Sequence, residues 1–287
     1  MNKRHLYLGV SGLGIGFFLV CCALVLQAGV QMRDFSPQPV LAVEPVVLPE
    51  VSAAAAYVLD IDTRLAVFER EADTQRPIAS VTKLFSGAMF FGTVERDATT
   101  TITWADLAPE GRAGRLEYGA VMTNHELLFP ALLESSNDAS AVMRRVTNEA
   151  VITYMNEYAD AWNAPNTSFA DASGLSSRNV STARELAEIS VRLYEEYPHI
   201  FDITQLSQYL GESGAWLNNN PFVGEPGYAG GKHGYTHEAN RTAVAFFDEV
   251  LPSGSERRFV YVLLGSDDLA SDMSALRTYV TEQVDFR

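Results

Sequence analysis

The sequence predicts an α/β domain in which both ends of the chain contribute strands to one sheet and a helical subdomain lies between them. Three observations carry this expectation. β-prone runs occupy residues 54–61 and 65–68 near the front and residues 241–247 and 258–264 near the back. Segments 125–133, 139–158 and 182–197 place apolar residues three and four apart, the period of an amphipathic helix. With 47% hydrophobic and 20% charged residues among 287, the chain can bury one substantial core.

The chain opens with Asn2, Lys3, Arg4 and His5 and then runs almost free of polar side chains over residues 6–26. A helix of that length crosses a bilayer, so residues 1–30 are expected to be a membrane anchor or uncleaved signal. Signal cleavage wants small residues at the last and third-last positions. Leu26-Gln27-Ala28 offers only the last, so a retained single-pass anchor is favoured. Lys3 and Arg4 hold the N-terminus inside the cell membrane and send the remainder outside. Cys21 and Cys22 both lie in the apolar run, so the exported part can form no disulfide. Val20 and Cys21 precede them where a lipid-attachment signal would have a small residue, so lipidation is not expected.

Pro37, Pro39, Pro45 and Pro49, with no helical period, make residues 31–50 an extended spacer. The globular domain is expected over residues 51–287. Within it, segments 54–61 and 65–68 form a hairpin around Asp62-Thr63-Arg64, and a helix covers residues 80–91 with Ser80 at its start. Strands return beyond Lys232, and a last helix covers about 269–280. There is no internal repeat and no low-complexity tract.

A formal net charge of -15 and a pI near 4.7 exclude nucleic acid as a partner, because nothing here would neutralise a run of phosphates. Of the 21 lysines and arginines, only Lys3, Lys83 and Lys232 are lysines. Arginine supplies generic positive charge. Lysine alone can lose its proton when desolvated, which marks Lys83 and Lys232 as candidates for chemistry. Lys83 follows Ser80 by three residues, so on a helix the two side chains share a face. A hydroxyl attacks poorly until a base takes its proton, and a lysine in a dry, positively charged pocket can be that base.

Two further elements follow in order: Ser135-Ser136-Asn137, and Gly231-Lys232-His233-Gly234-Tyr235-Thr236. The succession S-x-x-K, S-x-N, K-x-G at these separations resembles the low-molecular-mass penicillin-binding proteins. These are the serine D-alanyl-D-alanine carboxypeptidases, which share a fold with class A β-lactamases. The similarity extends from about residue 54 to 265 and includes Asn137-Asp138-Ala139, Met155-Asn156, Thr167-Ser168-Phe169, Ser173-Gly174-Leu175 and Ser181-Thr182-Ala183. It implies an antiparallel sheet flanked by helices plus an all-helical subdomain, with the site between them. It also implies peptidoglycan stem peptides as substrate, β-lactams as inhibitors, and no cofactor or metal.

Carried over by position, Ser80 would attack the penultimate D-alanine carbonyl, Lys83 would accept its proton, and Ser135 would relay a proton to the departing amine. Asn137 would hold the substrate amide, and Lys232 would sit near the substrate carboxylate. His233, Gly234, Tyr235 and Thr236 would form the substrate-binding strand. The amides of Ser80 and Tyr235 would hold the oxyanion, and Gly234 would let substrate approach closely.

This chain departs from the family pattern at His233, where a threonine hydroxyl usually assists carboxylate binding; imidazole titrates near neutrality, so altered specificity and pH dependence are expected. It also lacks the arginine that commonly follows the last strand, reading Gly265-Ser266-Asp267-Asp268 and then Asp272, with Arg277 the next arginine. That keeps open a D,D-endopeptidase acting on cross-links and a non-catalytic wall-binding homologue. Asn240 stands where glycine is more usual. A β-lactamase would need a loop glutamate, but Glu185 reads as helical. A metallohydrolase built on His233 and His237 would need helical spacing, which Gly234 disfavours. Trp162, Trp216 and Phe222 read as core. Asn218, Asn219 and Asn220 read either as a peptide contact or as a turn.

Overall fold

The computed structural model describes residues 41–42, 47–111 and 113–286; the expected anchor and most of the expected spacer lie outside them. No helix among the described residues is long and apolar enough to cross a membrane. Leu41–Ala42, within the segment read as a spacer, pairs with Asp285–Phe286 as a short antiparallel ladder.

The central sheet contains β1 (Ala55–Asp60), β2 (Ala66–Arg70), β3 (Tyr228–Thr236), β4 (Asn240–Val250) and β5 (Glu256–Ser266). Their spatial order is β3-β4-β5-β1-β2, and every pairing is antiparallel. The two chain ends meet where β1 pairs with β5, as the sequence predicts. Alternation along the strands divides the side chains between two cores. Tyr57, Leu59, Val244, Phe246, Val260 and Val262 join the core beneath the helical subdomain. Ala56, Val58, Ala245, Phe247, Tyr261 and Leu263 face the opposite way and pack with Leu269, Met273 and Leu276 of the C-terminal helix. Each fully buried large side chain contributes about 1.5–3 kcal/mol to these layers.

The helices are α1 (Thr82–Thr93), α2 (Leu128–Leu133), α3 (Asn137–Val146), α4 (Ala150–Ala161), α5 (Ala183–Glu196), α6 (Pro198–Gln205) and α7 (Leu269–Gln283). Helix α1 is the hub of the subdomain, with every residue from Thr82 to Phe90 buried. Burial on all sides marks a core helix, and it explains how a lysine in its first turn comes to be dry.

The single helix expected over residues 139–158 is two, α3 and α4. The break falls at Asn148 (φ 49°) and Glu149 (φ 68°), both left-handed, while Thr147 donates its hydroxyl to Met143 O at 2.9 Å and closes the turn. The helix expected to begin at Ser80 instead starts as a 3-10 turn, Ala79–Val81, leading into α1. Trp216 is buried in the core beneath the helical subdomain, with Trp162 packed partly buried against it, and Phe222 is buried in the opposite core, in line with the core reading. The three asparagines form a turn: Asn218 Nδ2 donates to Thr204 O and Leu206 O, Asn219 Nδ2 to Glu134 O, and Asn220 Nδ2 to Tyr228 Oη.

Candidate active site

Ser80 sits in the 3-10 turn between β3 and α1, on a backbone held under strain. Ala79 before it is left-handed at φ 47°, a conformation that a residue with a Cβ rarely adopts. Local bonds hold it there: Thr82 Oγ1 donates to Ala79 O at 2.7 Å, and Asn179 Nδ2 donates to Thr82 Oγ1 at 3.0 Å. Thr242 on β4 donates its hydroxyl to Ile78 O at 2.9 Å. Two glycines close on this turn from opposite segments. A Cβ on Gly174 would fall 1.9 Å from Ala79 O, and one on Gly234 would fall 2.5 Å from Ser80 N. Gly234 is therefore required first by the nucleophile's own backbone, before any approach of substrate.

Lys83 Nζ is a hub of three hydrogen bonds. It lies 3.1 Å from Ser80 Oγ, 2.8 Å from Asn137 Oδ1 and 2.6 Å from Ser173 O. Burial pushes its pKa well below the ordinary lysine value, the charge of Lys232 lowers it further, and Asp171 opposes them. Asp171 has a second task. Its carboxylate accepts from Ser173 N, Ser173 Oγ, Gly174 N and Ser176 N, which fixes the loop that aims Ser173 O at Lys83. Ser173 and Gly174 stand out in the sequence without a role and Asp171 does not stand out at all, although an Asp-x-Ser-Gly run is a turn signal that locates this loop.

The second motif opens α3. Ser136, not Ser135, is its N-cap, accepting from Ala139 N at 3.1 Å. This frees Ser135, left-handed at φ 62°, to face the cleft beside Ser80. Asn137 spans two partners, accepting from Lys83 and donating Nδ2 to Glu110 O at 2.7 Å. Its amide therefore positions the lysine as well as keeping one N–H and one lone pair for a ligand.

On β3, Lys232 is buried, donates to His233 O at 2.8 Å, and has its pKa brought down to about 7 by burial. Burial, then the charge of Lys232, takes His233 down to about 3. The expectation that this imidazole titrates near neutrality is corrected: the ring stays neutral, because partial burial and the adjacent Lys232 charge both penalise a second cation. His233 Nδ1 is buried without a hydrogen-bond partner among the described residues. His237 lies in the turn beyond β3, so the two imidazoles share no helical face.

One cleft of about 340 Å³ is lined by Ser80, Ser135, Asn137, His233, Gly234, Tyr235 and Thr236 together with Gly174 and Leu175. Lys83 and Lys232 lie beneath it rather than in its wall. The acidic residues after β5 lie elsewhere. Asp272 is buried and accepts from Ser52 N, Ser52 Oγ, Ala53 N and Ser266 Oγ. Asp268 caps α7 and Asp267 accepts from Asn240. They are structural, so the acidic run does not itself oppose a substrate carboxylate. Arg277 pairs with Glu249 at 2.6 Å on the α7 side. Arg241 is the cation beside the cleft strand: it pairs across from Tyr235 and carries its guanidinium 5.7 Å from that ring's centroid. Glu185 is spent on the Asn166 backbone and Thr167, at the first turn of α5.

Residues 42–264 match the family model described as D-alanyl-D-alanine carboxypeptidase. The chain belongs to this family. The D-alanyl-D-alanine endopeptidase of Escherichia coli strain K12 is 29% identical over 175 residues, 58% of this chain and 56% of that protein. The D-alanyl-D-alanine carboxypeptidase DacA of the same organism is 26% identical over 215 residues, 69% of this chain and 53% of that protein. This chain spans about half the length of the first of these curated relatives. Among solved structures, a penicillin-binding protein homolog of Mycobacterium tuberculosis, Rv2911, superposes with a TM-score of 0.74 at 23% identity, covering 82% of this chain and 93% of that one. The Streptomyces K15 DD-transpeptidase gives 0.73 at 23% identity, over 82% and 98%. At these identities the likeness carries the fold: a family sheet and helical subdomain, as the motifs imply.

Proposed function

We propose that this chain is a serine-type D-alanyl-D-alanine carboxypeptidase that acts on peptidoglycan stem peptides through an acyl-enzyme. The observation that carries the reading is the 3.1 Å contact between Ser80 Oγ and the Nζ of a fully buried lysine. A neutral Lys83 takes the Ser80 proton as Oγ bonds to the penultimate D-alanine carbonyl carbon. The amides of Ser80 and Tyr235 hold the oxyanion, and Ser135 passes a proton to the departing D-alanine amine. Water then hydrolyses the ester and restores Ser80. Lys232 places positive charge behind the strand that holds the substrate carboxylate. β-Lactams acylate the same serine, because they present a strained amide to it.

A D,D-endopeptidase is the second reading. It is favoured by the sequence after β5, which reads Ser266-Asp267-Asp268 where an arginine is usual, and by endopeptidase relatives at 29% and 30% identity. Release of D-alanine from a free pentapeptide, set against cleavage of a D-alanyl cross-linked dimer, separates the two. Turnover of neither by folded protein would remove both and leave the non-catalytic wall-binding homologue.

We also propose that residues 1–30 anchor the chain in the cell membrane with the catalytic domain outside, on the strength of the apolar run 6–26 and its flanking Lys3 and Arg4. Alkaline carbonate extraction tests this. An anchored chain stays with the membrane pellet, and a chain whose signal has been cleaved appears in the wash.

A further inference from the structure

Trp104 and Tyr118 stack with ring centroids 4.5 Å apart and planes within 10°, yet they are 67% and 58% exposed. Such a pair has no core to join, and its outer faces are open to water. The segments that carry it are rigid. Thr103 N and Oγ1 donate to Asp106 Oδ2 at 2.8 and 2.7 Å, Leu107 N donates to Trp104 O at 3.3 Å, and the buried Asp106 is clamped by Arg145 of α3 at 2.9 Å. Gly119 N donates to Ile102 O at 2.9 Å and Ile102 N to Ala120 O at 2.8 Å, which ties the Tyr118 segment to the Trp104 segment. A stacked pair fixed this way can receive a ligand with little loss of side-chain freedom.

The platform stands beside a groove that borders the catalytic cleft. Ala105, next to Trp104, lines a second groove of about 330 Å³ with Ala108, Pro109, Ala141, Asn137 and Leu175. Asn137 and Leu175 also line the cleft at Ser80.

We propose that Trp104 and Tyr118 form a platform for the sugar rings of the glycan strand whose stem peptide occupies the groove and cleft. The proposal rests on the peptidase reading above. A pyranose ring turns a face of C–H groups to one side, which packs on an aromatic face by dispersion and weak C–H contact. Sugar rings are also the part of the wall that a chain of net charge -15 meets without repulsion. An extended stem of about four residues spans about 14 Å, so a stem held at the scissile bond carries its sugar to about that distance from Ser80.

The test uses the full-length chain and its Trp104→Ala and Tyr118→Ala variants, with penicillin acylation of Ser80 as the check that each is folded. Co-sedimentation with glycan strands stripped of stem peptides is expected for the native chain and lost in both variants. KM for a disaccharide-pentapeptide should rise about tenfold in the variants while KM and kcat for the sugar-free pentapeptide stay unchanged. No sedimentation of the native chain with bare glycan, or an equal change in KM on both substrates, overturns the proposal. Trp104-dependent sedimentation by a chain that turns over no peptide would keep the platform and remove the peptidase reading instead.

Discussion

Gly234 abuts the nucleophile's own backbone: a Cβ at this position would fall 2.5 Å from Ser80 N and 3.0 Å from Ala79 Cβ. The third motif and the catalytic turn are thus one packed unit, not two walls that meet only through substrate. Gly234→Ala must push β3 away from the turn. It should destabilise the fold by about 1–3 kcal/mol, read by chemical denaturation, and lower the acylation rate by at least about tenfold. Native stability together with native acylation would show that the contact is not needed.

The two buried lysines set the pH dependence. Acylation needs Lys83 neutral and Lys232 charged, so the rate should rise as Lys83 loses its proton and fall as Lys232 loses its own at about 7. Lys232→Gln removes the neighbouring charge that helps depress Lys83, so the acid limb should move to higher pH and the alkaline limb should vanish. Stability has its own sign. The folded-state pKa of Lys232 is depressed from 10.5 to about 7, so its burial is without penalty above 10.5 and stability declines as pH falls toward 7. Lys232→Met should therefore raise stability at neutral pH by roughly 2–4 kcal/mol, a gain that disappears above pH 10.5. Denaturation curves at the two pH values check it.

His233 should contribute no titration of its own. Because burial and Lys232 hold its pKa at about 3, the pH profile of His233→Thr should keep the native limbs between about pH 5 and 8, while KM changes because the ring lines the cleft. A limb near 6.5 that is lost in the variant would contradict this.

Asp272 should act on stability alone. Its carboxylate closes four hydrogen bonds that join the segment before β1 to β5 and α7. Asp272→Ala leaves buried donors unmatched and should cost about 3 kcal/mol, with the acylation rate of the folded fraction unchanged. Slower acylation by fully folded Asp272→Ala would place this carboxylate in the chemistry after all.

Much of this was legible in the sequence, and the parts that were not have physical reasons. The hairpin 54–68 and the last strands read correctly because they are short apolar runs that include Tyr57, Val58, Val67, Phe68, Phe246, Phe247, Phe259 and Val260 and are bounded by polar turn residues. The start of β3 was missed because Gly230 and Gly231, at φ 107° and 150°, accompany a register shift after Tyr228 that breaks the period of two. Helix α6 was missed because eight residues opening on Pro198 give too short a window for periodicity. Ser80, Lys83, Ser135, Asn137 and residues 233–236 were found because their spacing is local or their motif is ordered. The carbonyls of Ser173 and Glu110 were not: any residue supplies a carbonyl, so only the folded chain identifies which one reaches Lys83 or Asn137. The neutral state of His233 was equally out of reach, since it depends on burial beside Lys232.

The central claim is that Ser80 is an acylating nucleophile activated by Lys83. Labelling the full-length chain with fluorescent penicillin, and locating the adduct by mass spectrometry in the native chain, Ser80→Ala and Lys83→Met, tests it most directly. The account predicts a stable adduct on Ser80, none in Ser80→Ala, and labelling slowed by about a thousandfold in Lys83→Met. A folded chain that takes no label, or an adduct that survives Ser80→Ala, would contradict it.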